Sequence, residues 1–185
     1  MASWAKIGTF DSKTGILNVI IETPKGSRNK YDYSSHDRIL KLHSLLPAGC
    51  VFPYDFGFVP STLGEDGDPL DVLIIMEVPA PIGCLVPARL LGVIEAKQTE
   101  KGTTVRNDRL IAVSTESHCH KAIHSLSELG KEIMDEIERF FISYNEMHGK
   151  KFKPIGIKGP GRALKLIKAG QNRFQKQEDA EKKKS

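Results

Sequence analysis

Within Glu65-Asp66-Gly67-Asp68-Pro69-Leu70-Asp71-Val72 three aspartates fall in six residues, directly ahead of the apolar run 72–76. At ~5 Å separation and an effective dielectric of about 20, each pair of carboxylates repels by roughly 3 kcal/mol. Such a cluster calls for a compensating cation. Oxygen ligands without Cys or His alongside suit Mg²⁺ or Mn²⁺ better than zinc. Gly67 and Pro69 shape a turn able to aim Asp66 and Asp71 at one point, and a buried strand over 72–76 fixes its exit. A solvated acidic turn is the alternative for the same residues. An EF-hand is excluded: the loop would need Gly where Asp71 stands, Pro69 interrupts it, and a strand pattern follows in place of a helix.

The elements that would carry this turn are mostly strands. Residues 16–22, 38–43, 72–78, 84–96 and 109–114 are β-branched or alternating, with Gly, Pro, Asn and Asp clusters between them. One long helix is expected over 129–147, where Leu129, Ile133, Ile137, Phe140 and Tyr144 form an apolar stripe, with Gly149 as its stop. A short C-terminal helix is expected over 162–169. Strands followed by a main helix indicate an α+β fold, a barrel with the helix on its flank.

A chain of 185 residues and 20.5 kDa fits one domain, assigned to residues 1–170. Residues 171–185 form a basic, polar tail expected to be disordered. The net charge of +4 sits largely at that end, and few aromatic residues interleave with its lysines, which argues against nucleic acid as a partner. No apolar run reaches the ~20 residues of a membrane span and no signal pattern is present, so neither a membrane partner nor export is expected and the cytoplasm is the default compartment. Cys50, Cys84 and Cys119 lack CxxC spacing and read as reduced thiols. His118, Cys119, His120 and His124 read as a solvent-facing loop; a soft-metal site is the alternative.

Asp66-Gly67-Asp68-Pro69-Leu70-Asp71-Val72 resembles the signature of the family I soluble inorganic pyrophosphatases. The resemblance runs over roughly residues 16–153, through Ile21-Glu22-Thr23-Pro24, Asn29-Lys30-Tyr31-Asp32, Phe52-Pro53-Tyr54-Asp55-Phe56-Gly57-Phe58, Leu91-Gly92-Val93-Ile94, Arg109-Leu110-Ile111-Ala112-Val113 and Phe140-Phe141-Ile142-Ser143-Tyr144. It implies a five-stranded OB-like β-barrel and metal-dependent hydrolysis of pyrophosphate to two phosphates by a metal-activated water. Mg²⁺ is the implied cofactor, Mn²⁺ its substitute, and a homo-oligomer, with a hexamer favoured, the implied assembly. Carried over by motif, Asp66 and Asp71 are metal ligands, and Asp68 is counted both with the metal residues and as the general base. Glu22 and Asp32 match acidic positions near the metals. Lys30, Arg109, Lys150 and Lys151 match or adjoin positions that bind the substrate, and Tyr144 contacts phosphate, with Lys30 and Tyr144 also counted as catalytic.

Several positions depart from the family pattern. The loop 97–108 is longer and less acidic, and the family's key metal-binding aspartate falls on Asn107, which is counted as a metal ligand through its amide oxygen, with Asp108 and Glu100 as possible replacements. His43 or Ser44 stands where an arginine is expected, Phe52 and Phe56 replace tyrosines, and Asn145 replaces a lysine. These changes thin the cationic shell, leaving two alternatives open: action on another phosphoanhydride, or binding of phosphate compounds without turnover.

Overall fold

A computed structural model describes residue 4, residues 7–34, residue 37 and residues 39–183. Among the described residues there are nine strands and two α-helices: β1 Leu17–Thr23, β2 Asn29–Ser34, β3 Ile39–Leu45, β4 Asp55–Val59, β5 Leu70–Ile75, β6 Leu85–Glu100, β7 Thr103–Arg106, β8 Arg109–Ser114, α1 Lys131–Met147, β9 Lys151–Lys158 and α2 Pro160–Lys182. A 3₁₀ turn, Leu126–Leu129, leads into α1.

Five strands close into a ring in the order β1-β4-β5-β8-β6, with β6 returning to pair with β1. Only β5 and β8 run parallel. Closure depends on Gly57, because a Cβ there would stand 2.0 Å from the carbonyl oxygen of Ile20 on the neighbouring strand. β6 is long enough to leave the ring and pair with β7 and β9 beyond it, and β2 with β3 forms a separate hairpin.

The near-continuous apolar runs in β5 and β8 follow from burial on both faces. Leu73, Ile75, Ile111 and Val113 pack with Ile137 and Phe141 of α1. The alternate residues Val72, Ile74, Leu110 and Ala112 pack with Ala163 and Ile167 of α2.

The expected α+β arrangement is found, with shifted boundaries. The strand expected over 38–43 is β3, and Arg38 lies outside the described residues. β2, β4, β7 and β9 were not expected. α1 ends at Met147, and Gly149 adopts φ +70°, the left-handed conformation that suits a helix terminus.

The short C-terminal helix is a correction: α2 continues through residues 171–182, where disorder was expected, and Lys184 and Ser185 lie outside the described residues. The composition is polar but rich in helix formers. Pro160 opens the helix, Gln175–Asp179 and Gln177–Glu181 side chains bond at i,i+4, and Arg173 Nε donates to Leu63 O at 2.8 Å. Among the described residues no helix is long and apolar enough to cross a membrane.

Candidate active site

The aspartate turn is built before it is charged. Gly67 takes φ +92°, Gly64 N donates to Asp68 O at 2.6 Å, and Thr62 Oγ1 accepts the Leu70 N–H at 3.1 Å where β5 begins. The turn thereby delivers Asp66, Asp68 and Asp71 to the rim of a cleft of about 370 Å³. β1 contributes Glu22, β2 contributes Lys30 and Asp32, β8 contributes Arg109, and α1 contributes Tyr144.

Phe52, Phe56 and Phe141 form an apolar floor under two buried cations. Lys30 Nζ lies 4.9 Å from the Phe56 ring centre, and the Arg109 guanidinium lies 5.4 Å from that of Phe141 and 5.7 Å from that of Phe152. The rings contribute cation–π attraction and exclude water from one side of each charge.

Both cations lean on the carboxylates. Lys30 Nζ is 3.5 Å from Glu22 Oε2 and donates to Asp32, while Arg109 donates to Asp71 and to Asn107 Oδ1. Burial pushes the Glu22 carboxyl up to about 7, with Lys30 opposing. Asp68 is raised by desolvation and by Asp66 and Asp71 beside it. Asp71 is raised by burial, which Arg109 only partly offsets. For Lys30 burial pulls the pKa down, but Glu22, Asp32 and Asp71 outweigh it and the ammonium is held above its ordinary range. The Tyr144 phenol is raised, chiefly by burial, and keeps its proton at neutral pH.

Among the described residues six carboxylates line the cleft, those named plus Glu100, against the permanent cations Lys30, Arg109 and Lys150. The excess of negative charge on oxygen donors is the chemistry of a hard divalent cation. Among the described residues no three His, Cys, Asp or Glu side chains converge as a ready-made metal cage. The carboxylates are drawn instead to Lys30, Arg109 and the His43 ring, so the donor set fits divalent ions while its arrangement is held by the chain's own side chains.

The model of the family described as inorganic pyrophosphatase matches residues 19–175. The chain belongs to the inorganic pyrophosphatase family. The inorganic pyrophosphatase of Synechocystis is 35% identical over 155 residues, covering 84% of this chain and 89% of that protein. That of Halalkalibacterium halodurans is 37% identical over 152 residues, covering 82% and 91%. The crystal structure of the Thermus thermophilus pyrophosphatase superposes with a TM-score of 0.84 at 32% identity, over 94% of this chain and 99% of that one.

Within this pyrophosphatase fold, the residues carried over by motif, Glu22, Lys30, Asp32, Asp66, Asp68, Asp71, Asn107, Arg109, Tyr144 and Lys150, all line the cleft, and Lys151 does not. Lys151 is exposed on β9 and pairs in register with Thr99. Successive strand residues face opposite sides, so Lys150 turns to the cleft, 3.0 Å from Glu100, and Lys151 turns away. Asp108 likewise faces away, accepting from Ala96 N at 2.9 Å and Arg106 Nε at 2.6 Å, so it does not replace Asn107. Asn145 is buried and bonds Phe141 O at 2.8 Å.

The structure adds residues that the sequence reading did not place in the site. His43 Nδ1 lies 2.6 Å from Asp32 Oδ2. His148 lies 2.7 Å by Nδ1 from Tyr144 O and 3.0 Å by Nε2 from Ser44 Oγ; its i,i+4 spacing from Tyr144 was the available signal. Gln98, two residues before Glu100 on β6, also lines the cleft. The His118–Cys119–His120–His124 segment lies outside any helix or strand and does not line the cleft. Glu77 accepts there from Cys119 N and from Ser117 Oγ at 2.8 Å, and these bonds hold it down to about 2.

Proposed function

We propose that this cleft hydrolyses inorganic pyrophosphate to two phosphates, with Mg²⁺, or Mn²⁺ in its place, held by Asp66, Asp68 and Asp71 with support from Glu22 and Asp32. The observation that carries the reading is the collection of five carboxylates around two buried cations on one aromatic floor. Bound divalent ions supply charge neutralisation and lower the pKa of water.

The chain's own groups supply the rest. Asp68, on an exposed turn and with its pKa raised, is suited to take a proton from the attacking water. Lys30 stays an ammonium and Arg109 a guanidinium, so both donate to phosphoryl oxygens, and the protonated Tyr144 hydroxyl donates a third bond. Lys150 stands at the mouth as a further cation.

The cytoplasm as compartment is supported by three free cysteines. A homo-oligomer, with a hexamer favoured, is supported by exposed apolar residues including Leu42, Leu45, Ile155 and Ile157.

The deciding experiment is phosphate release from pyrophosphate with Mg²⁺, run beside Asp68→Asn. Metal-dependent release that the substitution abolishes is expected; release unchanged in Asp68→Asn overturns the assignment. A second reading, another phosphoanhydride as substrate, is favoured by the neutral Gln98–Asn107 pair on one wall. Binding without turnover is the outcome if metal binds and no phosphoanhydride is cleaved.

A further inference from the structure

At two places where the family resemblance leads one to expect cations, 43–44 and 145, the chain builds hydrogen bonds instead. Asn145 turns inward to Phe141 O, and Ser44 Oγ meets His148 Nε2 at 3.0 Å. We propose that the Ser44–His148 pair is a strap that holds the Tyr144 hydroxyl against the Lys30 ammonium, which makes Ser44 and His148 positioning residues for phosphoryl binding.

One end of the strap is beside Lys30. In the β2–β3 ladder Lys30 pairs with Ser44 and Tyr31 with Leu42, so His43 is the extra residue of a bulge. Residues directly opposite in a ladder carry their side chains on one face, about 5 Å apart at Cβ. Ser44 therefore stands next to Lys30, and the bulge accounts for His43 reaching the cleft from the adjoining position.

The other end is beside Tyr144. His148 follows Tyr144 by one helical turn, and their ring centres lie 4.6 Å apart. His148 caps α1, with its N–H donating to Asn145 O at 3.0 Å. Its Nδ1 is 2.7 Å from the Tyr144 carbonyl oxygen, which only accepts, so Nδ1 carries the proton and the lone pair of the neutral ring is on Nε2, facing Ser44. A serine hydroxyl both donates and accepts, so the bond holds whether or not the ring is charged.

Lys30 has anchors of its own in Glu22 and Asp32. Tyr144 is packed against rings, with Phe52 at 5.6 Å and Phe140 at 5.8 Å besides His148. Its phenol lies in the field of Lys30, Asp32, Arg109 and Asp71, at the charged centre of the cleft. Apolar packing is non-directional and leaves the hydroxyl's exact reach to the position of the helix end. A hydrogen bond from that end to the residue opposite Lys30 fixes the separation of the two donors, and such pre-set geometry is what binding and turnover of a two-phosphoryl substrate require.

This inference rests on the reading of the cleft as a phosphoanhydride hydrolase, and its test separates the two. Methylenediphosphonate, which carries two phosphoryl groups and resists hydrolysis, is titrated calorimetrically into full-length protein with saturating Mg²⁺. Ser44→Ala and His148→Phe, the second keeping a ring against Tyr144, should each weaken binding about tenfold. In a Tyr144→Phe background Ser44→Ala should weaken it by less than about twofold, because the hydroxyl that the strap places is gone. A bond that served only the fold would lower the melting temperature and leave its effect on affinity independent of Tyr144.

Unchanged affinity in either Ser44→Ala or His148→Phe overturns the proposal. So does a loss that persists undiminished in the Tyr144→Phe background, or a wild type that does not bind the diphosphonate. Phosphate release from pyrophosphate by the wild type, assayed in parallel, decides the parent reading by itself. Diphosphonate binding with the expected pattern but no phosphate release keeps the strap and removes the hydrolase.

Discussion

Glu22 makes the stability of the metal-free protein depend on pH in a direction opposite to that of an ordinary salt-bridged carboxylate. Burial lifts its pKa from 4.5 to about 7 in the fold. The folded state therefore favours the protonated form. The stability this contributes is fully present below about pH 4.5 and is lost as pH rises through about 7. The shift corresponds to on the order of 3 kcal/mol. Asp68 and Asp71 are also raised and act with the same sign. Lys30 is raised from 10.5, so its contribution is lost only at alkaline pH and is constant across the window. Glu77, held down to about 2, contributes above its unfolded pKa and is likewise constant from pH 5 upward. Urea unfolding of chelator-treated protein at pH 5 and pH 8 measures the difference. The wild type is expected to lose about 3 kcal/mol or more over that interval, roughly 10 °C in melting temperature for a chain of this size. Glu22→Gln keeps an oxygen for the Tyr33 N–H, which Glu22 accepts at 2.7 Å, and removes the titration. Its pH dependence should be shallower by about the same 3 kcal/mol. If Glu22→Gln follows the wild-type curve, the buried-carboxylate reasoning is refuted.

Lys30→Met removes a charge from the cleft while keeping the stem. With charge-assisted hydrogen bonds at about 1.5–3 kcal/mol each, kcat/KM for pyrophosphate should fall about a hundredfold; steady-state phosphate release measures it, and an unchanged value removes Lys30 from the site. Asp55 is almost fully buried and accepts from Lys25 N at 2.6 Å and Ala80 N at 2.9 Å, tying two loops to β4. Asp55→Ala leaves both N–H groups without that acceptor and should cost about 3 kcal/mol in urea unfolding. A loss below about 1 kcal/mol would mean that water replaces the carboxylate. Gly57→Ala places a methyl against the Ile20 carbonyl, which no side-chain rotation relieves. It should destabilise by about 3 kcal/mol or more and open the β1–β4 ladder, and near wild-type hydrogen exchange of that ladder would contradict it.

Local pattern revealed the strands that are apolar on both faces and hid those that are not. β1, β5 and β8 are mostly buried, so their β-branched runs were legible. β2 carries Lys30 and Asp32 and β9 carries three lysines, so neither shows a strand's clean alternation of apolar and polar residues. Their strand conformation is imposed by pairing with β3 and β6, which is long-range information. The far half of α2 was hidden for a related reason. Gln, Lys, Glu and Asp suit a solvated helix as well as a disordered tail, and only the i,i+4 bonds and the attachment of Arg173 to Leu63 separate the two.

The acidic half of the site was legible because its chemistry is local: three aspartates on one turn announce a cation wherever the turn ends up. The other half is assembled from residues that carry no individual signal. Gln98 and Asn107 are separated by a hairpin and meet because Lys97 pairs with Arg106 across β6 and β7. His43 and His148 reach the cleft from a hairpin and a helix end, and Ser44 joins the two through a 3.0 Å bond. An Asn in the place of an expected aspartate reads, in the sequence, only as a missing charge. In the fold it joins Gln98 to Arg109 through its two side-chain ends, a contact between three separate chain positions that no local pattern announces.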